Sequence, residues 1–216
     1  MCVYECVCMY VYVCVRVPAS PSVNSFMDEV KKRKERIAHD LTCQMGKPLK
    51  QALGEVDGML TRAAALIELA PAALAAQPIM LFPQSMQKIE KEPIGPVLLL
   101  APWNYPLLCT INSTFHAVLA GNPVLIKHSD RTPLVADLFA EVFASAGAPV
   151  GLVQALHADH DLVARVIQHP DIAYVSFTGS VAGGRAVYKS VANRFIDVVW
   201  VSSNTHRIYI FFLFFP

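Results

Sequence analysis

The chain carries almost no net charge. Its 216 residues hold 18 Lys and Arg against 17 Asp and Glu, a formal +1. That balance gives no electrostatic case for a nucleic-acid partner or an anionic membrane surface. Paired cysteine spacing is missing too. Four of the six cysteines, Cys2, Cys6, Cys8 and Cys14, crowd the first 17 residues, but their gaps do not make the C-x2-C pairs of a zinc site. His116, His128 and His169 are scattered and form no metal-ligand pattern. Neither apolar end of the chain makes an unbroken run of the ~20 residues a membrane span needs. The start does not read as a signal peptide, because Glu5 comes early and Arg16 late. The G-x-G-x-x-G fingerprint of many dinucleotide sites is also absent. What is present is length enough for one large domain and an apolar content of 54%, with a mean hydropathy of +0.41.

The apolar excess sits at the two ends. "MCVYECVCMYVYVCVRV" (residues 1–17) has the composition that an alternating purine–pyrimidine repeat encodes, so it reads as a translated simple repeat. "VWVSSNTHRIYIFFLFFP" (residues 199–216) reads as an apolar tail of out-of-frame or intron-derived origin. Its absence as a strand would leave a sheet edge unpaired, a route to aggregation. Between the ends, residues 18–93 read as helices plus a connecting strand, and residues 94–198 as an incomplete α/β domain.

The helical part opens near Asn24 or Ser25 as N-cap, breaks at Gly46 and Pro48, and resumes over residues 49–69, ending before Pro71. Lys31, Lys32, Arg33 and Lys34 interleave with Asp28, Glu29 and Glu35, the pattern of a solvated helix face. "APAALAAQPIMLFP" (residues 70–83) reads as a connector and "MQKIEKEPIGP" (residues 86–96) as a short exposed strand. Then the texture changes. "VLLLA", "PVLIK", "GLVQAL" and "IAYVSF" are short continuous apolar runs, each followed by a helical pattern, with Thr132 as the expected cap of the second helix and Pro133 at its first turn. Four strand–helix units in a row predict a partial doubly wound parallel sheet, a Rossmann-like α/β fold preceded by a helical region.

In such a sheet, ligands sit beyond the carboxyl ends of the strands. That rule gathers "PWNYP" (residues 102–106), "KHSD" (127–130) and "TGS" (178–180) at one edge. Singly each has an ordinary explanation: Asn104 braces a turn, Lys127 reaches solvent, and Ser180 caps a helix. Together they offer an anion cradle at a helix start, a donor and an acceptor for sugar hydroxyls in Lys127 and Asp130, and an amide of the kind that steadies a developing oxyanion in Asn104.

Here the pattern becomes specific. "EPIGPVLLLAPWNYPLL", "AGNPVLIKHSDRTPL" and "VSFTGSVAGGR" resemble the NAD(P)-dependent aldehyde dehydrogenase family, and "MGKPLKQALGEVD" resembles its amino-terminal helical region. The likeness covers about residues 22–198. It implies oxidation of a small-molecule aldehyde to a carboxylic acid with NAD or NADP, and a homo-oligomer as in the parent family. By motif, Asn104 matches the asparagine whose amide binds the oxyanion of the thiohemiacetal. Lys127 matches the lysine at the adenosine ribose, and Asp130 stands where the family usually has Glu. Gly179 and Ser180 match the pyrophosphate turn, and Pro102 and Trp103 match cofactor-wall positions. After the third strand, "LHADHD" lacks the glycines often found there.

The family's nucleophilic cysteine and its general-base glutamate come later than "FIDV" (residues 195–198), and nothing after that point here supplies them. Neither Cys109 nor Cys43 has a basic neighbour in sequence that would favour a thiolate. The expectation is therefore an oxidoreductase by family that keeps cofactor and oxyanion elements without complete turnover. A non-catalytic nucleotide-binding pseudoenzyme or interaction module and a gene-model fragment are the alternatives. With no targeting signal, the default location is cytoplasmic.

Overall fold

A computed structural model describes residues 21–82 and 85–202. Residues 1–17 and most of the expected tail lie outside the described residues. Helices α1 (Pro21–Lys32), α2 (Lys34–Met45) and α3 (Leu49–Leu74) come first. A two-stranded antiparallel hairpin follows, β1 (Gln77–Phe82) with β2 (Ser85–Ile89). Then the chain alternates: β3 (Val97–Ala101), α4 (Pro106–Leu119), β4 (Val124–His128), α5 (Leu134–Ser145), β5 (Val153–Ala155), α6 (His160–Ile167), β6 (Tyr174–Gly179), α7 (Val181–Val191) and β7 (Asp197–Ser202).

The five strands β3 to β7 form one parallel sheet in the order β5-β4-β3-β6-β7. This is the expected doubly wound arrangement, and the order reverses between β3 and β6, where a ligand crevice belongs. β3 is the central strand, buried at all five positions. Its pleat sends alternate residues to two different cores. Val97, Leu99 and Ala101 join the helices α1 to α5 on one face, while Leu98 and Leu100 join Val166, Ile172, Val175 and Val187 on the other. The amino-terminal helices are part of that first core. Phe26 of α1 lies 5.1 Å from Phe115 of α4 and 4.6 Å from Phe143 of α5, ring centre to ring centre.

Several boundaries depart from the sequence reading. The first helix starts at Pro21, so Asn24 and Ser25 lie inside it rather than at its cap. A turn at Arg33 divides α1 from α2. α3 runs through Pro71 to Leu74, because a proline on the exposed last turn forfeits only one intrahelical bond. Residues 77–82, read as a connector, form β1, with Pro78 on a two-stranded edge that tolerates it. The expected bare edge beside β6 is filled: β7 continues past Val198 through Trp200 to Ser202 and pairs with β6 along its whole length. The break at Gly46 is as expected. Its φ of +74° is the left-handed cap conformation that glycine adopts freely, and it delivers Lys47 to the next turn.

Candidate functional site

The carboxyl ends of β3, β4 and β6 line up, with Leu100 opposite both Lys127 and Phe177 and Ala101 opposite His128. Between them and helices α6 and α7 opens a cleft of about 190 Å³. Its walls are mostly apolar, from Leu100, Val163, Ile167, Phe177 and Val187, with Lys127, Ser129, His160, Thr178 and Ser190 among the polar residues. Such a lining suits a flat apolar ring joined to a hydroxylated group.

Lys127 projects from the end of β4 and its side chain is only 13% exposed. Its ammonium donates to Asp130 Oδ1 at 2.7 Å, while the Asp130 side chain is 81% exposed. That hydrogen bond holds the Asp130 carboxyl below its ordinary range. The expected donor and acceptor are thus adjacent, with Lys127 in the cleft wall and Asp130, like Gly179 and Ser180, outside it. His128, next in sequence, turns the other way and is 3% exposed. Its Nδ1 accepts from the Ser129 N–H at 3.0 Å and is joined to the Thr132 hydroxyl at 2.9 Å. Burial pushes its pKa down to about 4, so the ring is neutral at pH 7. Thr132 is therefore committed to His128 and does not cap α5. The Leu134 N–H is capped instead by Gln44 Oε1 of α2, at 3.0 Å.

At β6, Ser180 does cap α7, its hydroxyl accepting from the Gly183 N–H at 3.1 Å. The Phe177 ring lies over this turn. A Cβ at Gly179 or Gly183 would meet its tip at 2.7 or 2.8 Å, so the glycines let the ring and the helix start share one space. The neutral serine cap leaves the positive end of α7 without a carboxylate of its own. A buried-stem cation, an apolar slot and a glycine-lined helix start thus stand side by side at this edge.

The loop from β3 holds Pro102, Trp103, Asn104 and Tyr105. Asn104 is exposed. None of Pro102, Trp103 and Asn104 belongs to the cleft wall, so the loop stands apart from the walls of the cleft. Both aromatics of the loop stack under cations: Arg131 lies 4.7 Å from the Trp103 ring and Lys47 lies 4.9 Å from the Tyr105 ring. Helix α4 then begins with Pro106 at its first position and no local side-chain cap. Its free N–H groups are met from α3. Glu55 Oε1 accepts from Leu107 at 2.9 Å and from Leu108 at 3.4 Å, and Glu55 Oε2 is paired with Lys47. Sequence reading missed this pair. The usable signal was a carboxylate standing in the buried stripe of α3, with Ala52, Val56, Met59 and Ala63.

The two described thiols differ, and Cys43 has an imidazole neighbour that the sequence reading missed, His39, whose Nδ1 lies 3.7 Å from the sulfur. Burial, aided by the nearby Glu55 carboxylate, raises Cys109 to about 11, which keeps it protonated. Cys43 is exposed on α2. Among the described residues no group of His, Cys, Asp and Glu could hold a metal, and no helix is long and apolar enough to cross a membrane.

Residues 21–205 match the family model described as "Aldehyde dehydrogenase family". The chain is 38% identical over 158 residues to succinate semialdehyde dehydrogenase [NAD(P)+] Sad of Escherichia coli, covering 73% of this chain and 34% of that protein. It is 34% identical over 173 residues to malonate-semialdehyde dehydrogenase of Bacillus subtilis strain 168, covering 76% and 34%. The chain thus spans about a third of the length of these curated relatives. The fold superposes on an oxidoreductase from Marinobacter aquaeolei with a TM-score of 0.84 at 26% identity, covering 92% of this chain and 43% of that one. Succinic semialdehyde dehydrogenase from Streptococcus pyogenes, solved in complex with NADP+, gives 0.78 at 25% identity, covering 83% and 39%.

Proposed function

The chain belongs to the aldehyde dehydrogenase family, and from that premise we propose that it carries the nucleotide-holding and oxyanion-holding part of an NAD(P)-dependent aldehyde oxidoreductase. The observation that carries this reading is the meeting of Lys127, Asp130 and the Ser180-capped start of α7 at the same sheet edge that bears the Asn104 loop.

Lys127 and Asp130 would open from one another to bind the two ribose hydroxyls. Gly179, Ser180 and the start of α7 would face the pyrophosphate, and Pro102 and Trp103 would flank the cofactor's far end. NAD or NADP, once bound, supplies the hydride acceptor. Asn104 would donate its amide to the aldehyde oxygen as charge builds there. Cys109 is partly buried and held protonated, Cys43 sits on α2, and neither of these described thiols lines the cleft. That observation favours, for this polypeptide alone, nucleotide binding without aldehyde oxidation.

The test is titration of NAD+ and NADP+ into the protein, followed by addition of aldehydes led by succinate and malonate semialdehydes, with reduced nucleotide read at its absorbance. Saturable binding without reduction supports the reading. Reduction would assign a nucleophile not identified above. Absence of binding would overturn it. The role of Asn104 is read separately, from semialdehyde binding to the nucleotide-loaded protein. Asn104→Ala should weaken it about 5-fold, the worth of one neutral hydrogen bond of about 1 kcal/mol.

A further inference from the structure

We infer that Lys47, acting with Glu55, is a positioning residue for Asn104: the ion pair ties the cap of α4 to the backbone of the loop and so sets the direction of the Asn104 amide. This rests on the role given to Asn104 above.

Lys47 joins the α3 carboxylate to the loop. Its ammonium pairs with Glu55 Oε2, reaches the Asn104 carbonyl at 3.4 Å and sits over the Tyr105 ring at 4.9 Å. Its own side chain is 10% exposed and that of Glu55 is 3% exposed. Glu55 in turn holds the first N–H groups of α4. The residue before α4 offers no side-chain cap and Pro106 has no N–H, so the geometry of the loop's exit is dictated from α3. Lys47 is itself placed by the left-handed Gly46 on one side and Pro48 on the other. A buried carboxylate capping a helix needs no lysine for its hydrogen bonds. A lysine that also reaches the Asn104 carbonyl joins the cap to the one loop residue that carries an amide. The contact is to the backbone, which leaves the Asn104 side chain free to face a ligand.

A purely structural ion pair and a positioning pair respond differently when both charges are removed. Replacing a buried pair by uncharged groups of similar volume is commonly neutral for stability. The Lys47→Met/Glu55→Gln double variant keeps an oxygen for the Leu107 N–H while it removes both charges together and with them the reach to Asn104 and Tyr105. The chain has two tryptophans, Trp103 on this loop and Trp200 on β7, so 5-fluorotryptophan labelling gives one fluorine resonance for the loop and one for the sheet. In the double variant the Trp103 line should shift by more than its own width and broaden. The Trp200 line and the melting temperature should stay near those of the parent, and Lys47→Arg alone should keep the Trp103 line near its parent position. An unmoved Trp103 line in the folded double variant would overturn the proposal. Collapse of both lines would overturn it equally, by showing that the pair holds the fold and not the loop. The readout is loop order, so it is decided apart from the Asn104→Ala binding measurement. A moved Trp103 line with no effect of Asn104→Ala retires the role of Asn104 and leaves the anchor standing.

Discussion

Two helix starts at the same sheet edge are held in opposite ways. α7 begins on its own Ser180, a neutral cap three residues from the N–H it satisfies. α4 begins with a proline and no local cap, and its N–H groups are met by a buried carboxylate 52 residues earlier in the chain. The positive end of α4 is therefore already occupied by an anion of the protein itself. The positive end of α7 is not, which leaves it available to an anionic ligand. One start is spent on holding the Asn104 loop, and in the proposed function the other meets the nucleotide.

The comparison is broken most severely at Glu55. Glu55→Ala removes one partner of a buried pair and two helix caps, and should cost about 3–5 kcal/mol in chemical denaturation. A loss below about 1 kcal/mol would mean that α4 does not depend on α3 for its start.

The second test is pH. His128 packs behind the same edge and is neutral in the fold, with a pKa of about 4 against about 6.5 when unfolded. Burial is the main cause, with the adjacent Lys127 acting in the same direction. The unfolded chain then binds one more proton than the folded one between these values. Stability from this group is fully present above pH 6.5 and is lost as pH falls toward 4, reaching a loss on the order of 3 kcal/mol. Denaturation midpoints measured across this window should fall in the parent and fall less in His128→Gln. Parallel curves would remove His128 as the source.

At α7 the effects are smaller. Ser180→Ala should cost about 1 kcal/mol of stability, several-fold less than Glu55→Ala, by the same denaturation. Asp130→Ala should be smaller still in the free protein, a few tenths of a kcal/mol, because the carboxylate end of its ion pair is exposed to water. Its effect should appear instead as weaker nucleotide binding.

The same contrast explains what could be read from the residues alone. β3, β4 and β6 were legible because each is a short continuous apolar run ending at a distinctive loop. The α7 cap was legible because Ser180 and Gly183 are neighbours in sequence. The parallel sheet followed from the alternation of strands and helices, and so did the gathering of Lys127, Asp130 and Ser180 on one edge. The hold on α4 was not legible, since nothing local to "PWNYP" points to Glu55. Thr132 misled for a related reason. Its hydroxyl has the position of a cap, but a buried His128 competes for it, and Gln44 from α2 takes over the helix start. Pro71 and Pro78 misled because each lies where one lost hydrogen bond is cheap, the last turn of a helix and an edge strand.

The central claim is that the α7 start and Lys127 are kept for a nucleotide. Calorimetric titration of NAD+ and NADP+ into the parent protein and into Lys127→Ala addresses it most directly. The account predicts saturable one-to-one binding by the parent and at least about 10-fold weaker binding by Lys127→Ala, a loss of about 1.4 kcal/mol or more, as expected for hydrogen bonds to a charged group. No saturable binding by the parent, or equal affinity in the two proteins, would contradict it.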